Sequence, residues 1–252
     1  MKIKILVATH KKYSFPDNTI YMSIQVGKAL SPDDFGYLTD NTGENISQKN
    51  RSFSELTALY WVWKNSFFKE SDLCGLVHYR RYFSGNETFG KFEILGEKDI
   101  EELMTDFDVI VPVKRKYYIE TIRSHYEHAH YKKDLDTLEE VLKEYSPEYM
   151  DAFAKVMEQR SLFLYNMFVM RTEYFSDYCS WLFDILFEVE KRADSSEYDT
   201  YQGRIFGFLA ERLFNVWLQH SQLRVKEVKV VNLEGENLIL KAVNMLKRKY
   251  TK

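Results

Sequence analysis

The sequence predicts an α/β protein whose buried sheet carries ligand-binding side chains at one edge. Two apolar runs, 3–8 and 73–77, end abruptly in polar residues, a pattern typical of buried parallel strands. A helix near 97–105 and a strand over 107–113 follow, which continues the strand-helix-strand order of α/β folds. From Leu135 onward the apolar spacing is mainly helical.

Composition and charge narrow the range of partners. The 252 residues carry a formal net charge of -3, so the chain lacks the basic footprint of a nucleic-acid-binding protein, and no nucleic-acid partner is expected. Cys74 and Cys179 lie far apart in apolar surroundings, which argues against a disulfide framework and a cysteine metal site. The first apolar run is too short for a signal peptide or a membrane span. We therefore expect a cytoplasmic protein with one domain over residues 1–252.

The stretch 73–83, LCGLVHYRRYF, concentrates functional side chains at the end of the second strand. Ligands of open α/β sheets bind in the crevice at the carboxyl ends of the strands. The guanidinium groups of Arg80 and Arg81 match phosphate oxygens bidentately, so a diphosphate is the predicted ligand. His78 and Tyr79 add a hydrogen-bonding group and a stacking face. The alternative is that the arginines solvate the strand end and the aromatic rings fill the core.

Two polar stretches nearer the amino terminus are also candidate nucleotide-binding segments. Thr9 and His10 follow the first strand, where they either hold the base or ribose of a nucleotide or form an ordinary solvated turn. The loop 33–50 is rich in Asp, Asn, Gly and Ser, and loops of this length inside a domain are usually functional. Its candidate residues, for which plain turn chemistry is the alternative, are Asp40, Asn41, Asn45, Lys49 and Asn50.

A helix is predicted from about residue 55 to residue 68. Apolar residues recur there at three- and four-residue spacing, and Ser54 is a good N-cap residue. Glu55 falls in the first turn, where it either complements the helix dipole or faces the site.

The second half of the chain contains polar residues inside apolar segments. Asn166 lies in a predicted strand over 162–170, so its amide must satisfy backbone groups or point to a ligand at the strand end. Arg204 and Glu211 share a face of the last long helix, as a structural ion pair or as part of a site, and Arg212 follows them. The predicted helices cover about 135–145, 147–159, 173–192 and 201–220, and a strand-like piece covers 225–231.

The segment 124–136, SHYEHAHYKKDLD, is dense in histidine. His125 and His128 are three residues apart and do not reproduce the HExxH spacing of zinc sites, so a metal site is not expected. A general base that accepts a proton from a hydroxyl group is the better interpretation. His130 and Asp134 are four residues apart and would share one face if the segment is helical.

Three stretches together resemble a known family. They are NISQKNRSFSELTALYWVWKN with GLVHYRRYF, LYNMFVMRTEYFSDYCSWLFDILFEVEKR, and GRIFGFLAERLFNVWL. From about residue 4 to residue 217, the chain is similar to the bacterial glycosyltransferases of the domain-of-unknown-function 4422 family. The resemblance implies a hexosyltransferase of capsule, exopolysaccharide or O-antigen synthesis. Its implied donor is a nucleotide-diphosphate sugar such as a UDP-sugar, and the implied sugar is galactose, including its furanose form.

The resemblance also implies a fold plan. The order of parts is similar to the GT-A plan, so we expect a GT-A-like nucleotide-sugar-binding sheet flanked by helices over about 1–115 and a largely helical acceptor-side part over about 116–252. In that plan an Asp-x-Asp motif holds a divalent metal. His78, Tyr79 and Arg80 stand at that place here, and arginine can neutralise a departing diphosphate. No cofactor is therefore expected, neither Mg²⁺ nor Mn²⁺.

Three groups of site residues follow from this plan. Asp134, His130 and Glu211 are the candidate catalytic bases, in no fixed order, and Asn166, Arg204 and Arg212 are assigned to the acceptor side. The donor-binding candidates are Thr9, His10, Asp40, Asn41, Asn45, Lys49, Asn50, Glu55, His78, Tyr79, Arg80 and Arg81.

The carboxyl-terminal segment 236–252, ENLILKAVNMLKRKYTK, is predicted to be a basic amphipathic helix. It either makes a weak contact with the anionic inner face of the plasma membrane, where a lipid-linked acceptor would reside, or packs on the core as an ordinary terminal helix. Two function classes remain open: a glycosyltransferase that acts on a growing glycan, and a non-catalytic nucleotide-sugar or glycan-binding module.

Overall fold

A ten-stranded sheet forms the centre of the protein in a computed structural model, which describes residues 1–234. Two further short strands pair only with each other. In chain order the strands are β1 (Ile3–Thr9), β2 (Tyr21–Gln25), β3 (Leu38–Thr39), β4 (Leu73–His78), β5 (Arg81–Phe89), β6 (Phe92–Ile94), β7 (Val109–Pro112), β8 (Arg115–Lys116), β9 (Ser161–Leu162), β10 (Phe168–Arg171), β11 (Val225–Val228) and β12 (Val230–Asn232).

Helices cover the sheet, and most of them come from the second half of the chain, as the apolar spacing predicts. None of the helices within residues 1–234 is long and apolar enough to cross a membrane. The α-helices are α1 (Asn50–Phe53), α2 (Leu56–Lys64), α3 (Glu97–Asp106), α4 (Ile122–Ala129), α5 (Lys132–Tyr145), α6 (Met150–Glu158), α7 (Thr172–Arg192) and α8 (Ile205–Ser221).

The strand order places several strand ends at one edge of the sheet. The order is β11-β7-β10-β4-β1-β2-β3, and β1 pairs in parallel with both β2 and β4. Because β10 is antiparallel to both β4 and β7, those two strands point the same way as β1. The carboxyl ends of β1, β4 and β7 therefore lie at the same edge, where ligands of such sheets bind.

The central strands are apolar because both faces of the sheet are covered. Leu6 and Leu76 are fully buried against the large helical layer, whereas Val7 and Val77 are fully buried on the opposite face, beneath α3 and β5. Gly75 is required where β4 meets β10, since a Cβ there would lie 2.7 Å from the Phe168 carbonyl oxygen.

The predicted α/β class, with a largely helical second half, is confirmed, but several element boundaries differ. The strand predicted over 162–170 is two strands, β9 and β10, which belong to different ladders. Tyr165 and Asn166 separate them, with φ angles of 78° and 51°.

Ser54 is not an N-cap. It lies between α1 and α2 at a φ angle of 53°, and its side chain makes no capping hydrogen bond. The single strand-like piece predicted at 225–231 is also two strands, β11 on β7 and β12 on β5. The amphipathic segment predicted at 236–252 lies outside the described residues.

Candidate active site

A cleft of about 820 Å³ opens at the carboxyl edge of the sheet, where β1 and β4 end beside the start of α8. Nine of the residues that the sequence predicts for the site line it, and they come from both halves of the chain. Those nine residues are His10, Asn50, Glu55, His78, Tyr79, Arg80, Arg81, Arg204 and Glu211.

Positive charge converges on the cleft. Four arginines line it, against the carboxylates of Glu55, Asp199 and Glu211. Of these three, Asp199 is engaged by two backbone amides, those of residues 201 and 202, and Glu211 by its own partners, described below. The four arginines are Arg51, Arg80, Arg81 and Arg204.

Arg81 is placed to bind an anion. Its guanidinium lies 4.5 Å from the centre of the Tyr165 ring, and its buried Nε has no hydrogen-bond acceptor within residues 1–234. A buried donor without a partner is costly in a folded protein. Because Arg81 also lines the cleft, its guanidinium is available there to an anionic ligand.

Arg80 is held at the rim of the cleft by an ion pair. Its Nη1 donates to Glu234 at 3.0 Å, and the ammonium group of Lys11 donates to the other oxygen of the same carboxylate at 2.9 Å. These side chains are between 32% and 45% exposed, so the pairs are weak in water. Arg80 can exchange Glu234 for another anion at little cost.

The surroundings of the two cleft histidines favour their neutral forms. Burial lowers the pKa of His78, an effect that the nearby Glu55 carboxylate opposes. Its Nε2 donates to the Tyr165 carbonyl oxygen at 2.7 Å, since a carbonyl oxygen can only accept. The pKa of His10, which is exposed at the rim of the cleft, is also lowered, first by partial desolvation and then by the positive charges of Lys11 and Arg80. The shift reflects the positive field at this edge.

A strained turn at Tyr165 and Asn166 ties three cleft residues together. Consecutive positive φ angles are uncommon outside glycine and persist only where the surroundings impose them. Besides the bond from His78, the Tyr165 amide donates to Glu211 at 2.8 Å, and the Asn166 side-chain amide donates to Glu55 at 2.7 Å. The turn therefore fixes the two carboxylates relative to the end of β4.

Glu211 is the candidate catalytic base that lies in the cleft. Its carboxylate accepts from the Tyr165 amide and, at 3.0 Å, from the guanidinium of Arg212, which is 2% exposed. Burial raises the pKa of Glu211, and Arg212 opposes that rise. Of the two alternatives for Glu211 and Arg204, a mutual ion pair or membership of a site, the structure favours the second: both line the cleft, Glu211 pairs with Arg212, and the Nε of Arg204 donates to the Ser54 hydroxyl at 3.1 Å.

Asp134 and His130 lie outside the cleft and do not share a helix, because α4 ends at Ala129 and α5 begins at Lys132. The Asp134 carboxylate is 3% exposed and accepts from the hydroxyl of Tyr198 at 2.6 Å. His130 is 6% exposed and pairs with Gln202 through Nδ1 at 3.0 Å. Burial raises the pKa of Asp134, and the bond from Tyr198 opposes that rise.

Asp40, a predicted donor-binding residue, is fully buried beneath the cleft. Its carboxylate accepts from the amides of Gly27 and Lys28 and from the hydroxyls of Ser47 and Thr57. The bonds from Gly27 and Lys28 tie the loop 33–50 to the chain after β2, and the bond from Thr57 ties it to α2, so Asp40 shapes the wall that carries Asn50.

The other predicted residues outside the cleft have local partners or lie on the surface. Thr9 closes a turn with the backbone of Lys11, and Asn45 bonds within its own turn. Lys49 pairs with Glu190 on α7. Asn41 is exposed, whereas Asn166 and Arg212 stand behind cleft residues.

Several cleft residues carry no sequence signal. The segment 198–203 supplies Tyr198, Asp199, Thr200 and Gly203 to the cleft wall, but it has no apolar periodicity. Arg51 precedes the predicted helix, and nothing in the sequence distinguishes it from an ordinary solvent-exposed arginine. Asn50, in contrast, is a residue that the sequence predicts for the site. Its side chain packs closely on Gly27, since a Cβ on Gly27, at a φ of 66°, would lie 2.6 Å from the Asn50 side-chain oxygen. That close approach fixes the cleft wall.

Within the described part of the chain, no group of three or more His, Cys, Asp or Glu side chains is arranged to hold a metal ion. His125 stacks on Tyr117 at a centroid distance of 3.9 Å, and His128 contacts Glu120 at 2.6 Å.

Together these features define an α/β protein with an arginine-lined cleft at the carboxyl edge of a mostly parallel sheet. The family model described as domain of unknown function (DUF4422) matches residues 4–222, so the chain belongs to this family, as its motifs predict. Among solved structures, the apo structure of the WbbM bifunctional glycosyltransferase is similar to 94% of this chain, with a TM-score of 0.86 and 32% sequence identity. The chain spans 46% of the length of that protein. A search of curated proteins finds no match.

Proposed function

We propose that this chain is a glycosyltransferase that moves a hexose from a nucleotide-diphosphate sugar to a growing bacterial surface glycan. One observation carries the proposal: four arginines and a partly buried carboxylate, Glu211, converge on a single cleft at the carboxyl edge of the sheet. Arginines complement a diphosphate, and a carboxylate within the same cleft can accept a proton. The similarity to the WbbM bifunctional glycosyltransferase supports the same function.

The proposed chemistry is a displacement at the anomeric carbon. An acceptor hydroxyl oxygen forms a bond to that carbon, the bond to the diphosphate breaks, and the electron pair leaves with the diphosphate. Glu211 accepts the hydroxyl proton, while Arg81, with Arg80 or Arg204, stabilises the charge that develops on the leaving group. Because these arginines supply the neutralising charge, we propose that transfer does not depend on Mg²⁺ or Mn²⁺.

We propose a UDP-hexose as the donor, with galactose, including its furanose form, as the sugar. Residues up to about 115 form the donor side, and the helical remainder forms the acceptor side with Asn166, Arg204 and Arg212. The acceptor is a lipid-linked glycan at the inner face of the plasma membrane, with which the cytoplasmic enzyme makes a weak peripheral contact.

Release of nucleoside diphosphate by the purified chain tests this proposal. With UDP-galactose or UDP-galactofuranose we expect slow release of UDP by hydrolysis, and faster release with a glycan acceptor, both with and without EDTA. Arg81→Ala should slow this release, whereas its matched control Arg192→Ala should not, because Arg192 pairs with Glu144 outside the cleft.

Each failure has its own meaning. If nucleotide sugars stabilise the chain but no UDP is released with any donor and acceptor, the chain is a binding module and the enzymatic proposal is wrong. If EDTA abolishes release and Mn²⁺ restores it, metal independence is wrong while the transferase function stands.

A further inference from the structure

An exposed apolar tip lies in the loop after β7. Eight large hydrophobic residues within 1–234 are exposed, and three of them are in this segment: Val113 at 49%, Tyr118 at 77% and Ile119 at 58%. We call residues 113–119 the tip loop. Scattered single apolar residues are normal on a protein surface, but neighbouring ones indicate an interaction site.

The structure holds the tip loop firmly from beneath. Arg115 and Lys116 form the β8–β9 ladder with Leu162 and Ser161. The Tyr117 amide donates to the Arg160 carbonyl at 2.8 Å. The Tyr117 ring is 6% exposed because it stacks on His125. The exposed side chains at Tyr118 and Ile119 are therefore presented on a supported turn.

Basic side chains surround the tip. Three exposed basic residues, Arg115, Lys116 and Arg160, have no acidic partner among residues 1–234. Arg160 donates from Nη1 to the Tyr118 carbonyl at 3.3 Å. Two acidic residues are near: Glu120 contacts His128, and Glu227 accepts from the Lys114 amide. The net charge at the tip is positive.

The position of the tip loop relates it to the cleft. It follows β7 directly, and β7 points the same way as β1 and β4. The tip loop therefore emerges from the sheet edge at which the cleft opens. A surface bound by this loop would face the same side of the molecule as the cleft.

We propose that the tip loop, with Arg160, binds the surface of an anionic bilayer. Tyr118 and Ile119 enter the interfacial region, where aromatic and aliphatic side chains are favoured, and Arg115, Lys116 and Arg160 lie against lipid phosphates. The inference takes the lipid-linked acceptor of the proposed function as its reason. It also assigns the bilayer contact to a part of the chain other than residues 236–252.

Co-sedimentation with vesicles tests the inference on the full chain, without donor or acceptor. The probes are phosphatidylcholine vesicles with and without phosphatidylglycerol, at low and high salt. We expect the wild type to bind only the anionic vesicles and only at low salt. Arg115→Gln and Lys116→Gln should each weaken binding about fivefold, the scale for one basic side chain near such a surface.

The apolar part of the tip is tested by the double variant Tyr118→Ser with Ile119→Ser, which should abolish vesicle binding. Tyr145→Ser is its matched control, because Tyr145 is 50% exposed on α5, outside the tip loop. Circular dichroism and hydrolysis of the donor in solution should be unchanged in these variants. Loss of vesicle binding with intact hydrolysis thus separates this inference from the proposed function.

Three results would overturn the inference. The first is failure of the wild type to bind anionic vesicles at low salt. The second is binding of the double variant to these vesicles as strongly as the control variant binds them. In the latter case another part of the chain makes the contact. The third is tip-dependent binding to a soluble acidic polysaccharide with no binding to vesicles.

Discussion

The cleft and the helical cluster contain similar side chains but differ in how their polar atoms are satisfied. The helical cluster comprises His130, Asp134, Tyr198 and Gln202, whose groups bond to one another at 2.6 and 3.0 Å. In the cleft, the buried Arg81 Nε has no acceptor among the described residues. Groups that are satisfied within the protein stabilise it, and groups that keep unused hydrogen-bonding capacity at a cavity are available to a ligand.

The comparison separates the candidate catalytic bases. Asp134 lies behind Tyr198, which itself lines the cleft, so Asp134 positions the wall and does not face a ligand. Glu211 faces the cleft, and the Tyr165 amide and Arg212 orient its carboxylate. Activity should therefore depend on Glu211 far more than on Asp134.

The variant Glu211→Gln should show the largest effect, which is a loss of catalysis. Loss of a general base lowers kcat by about 100- to 10,000-fold. Binding of the donor should be retained, because the amide oxygen still accepts from the Tyr165 amide. Steady-state kinetics measure kcat, and calorimetric titration measures the dissociation constant for the donor.

Asp134→Asn is the matched control for Glu211→Gln, since the new amide oxygen can still accept from Tyr198. We expect its kcat to stay within a few fold of the wild type. Equal losses of kcat in the two variants would remove the distinction between the cleft and the helical cluster.

The next largest effect is on stability. The free energy of unfolding should fall in acid because of His125, which lies in the helical half. Burial, then the charge of Arg212, lowers the pKa of His125 to about 4 from an ordinary value of 6.5. Between these values the unfolded chain binds more protons than the folded chain. The stabilisation is fully present above about pH 6.5 and is lost as the pH falls towards 4, by at most about 3 kcal/mol.

Denaturant unfolding at several pH values measures this effect. His125→Phe keeps a ring to stack on Tyr117 and cannot titrate. The difference in unfolding free energy between the wild type and this variant should therefore change over the same pH interval. A constant difference would show that His125 does not titrate as its burial predicts.

The smallest effect is expected at the rim of the cleft. Glu234→Gln removes the carboxylate that Arg80 and Lys11 share, so both cations become available to a diphosphate. Donor binding should strengthen by about 1 kcal/mol or less, and the gain should vanish at high salt. Glu144→Gln removes an equivalent surface pair outside the cleft and should change nothing. A gain in both variants would indicate a general charge effect.

The part of the cleft that follows the strand ends is predictable from the sequence. The apolar runs of β1 and β4 identify buried parallel strands, and their polar ends must then meet at one edge. His10, His78 and Arg81 could be assigned to one cleft on that ground alone.

The remainder of the site depends on contacts between segments that are distant in the chain. The turn at Tyr165 and Asn166 interrupts an apolar run. Three hydrogen bonds, with the side chains of His78, Glu55 and Glu211, hold the turn in an unfavourable backbone conformation. No local pattern in the sequence reports such bonds. Asp40 shows the reverse case, because a loop carboxylate typical of ligand binding is consumed by four bonds within the protein.

Arg81 and the cleft around it should bind a nucleoside diphosphate. The most direct test is the thermal unfolding midpoint of the wild type, Arg81→Ala and Arg192→Ala, each with and without UDP and without added metal. Binding to the folded state alone raises the midpoint. We expect a rise for the wild type and for Arg192→Ala, and little or none for Arg81→Ala. No rise in the wild type, or an equal rise in all three proteins, would show that Arg81 does not bind the diphosphate.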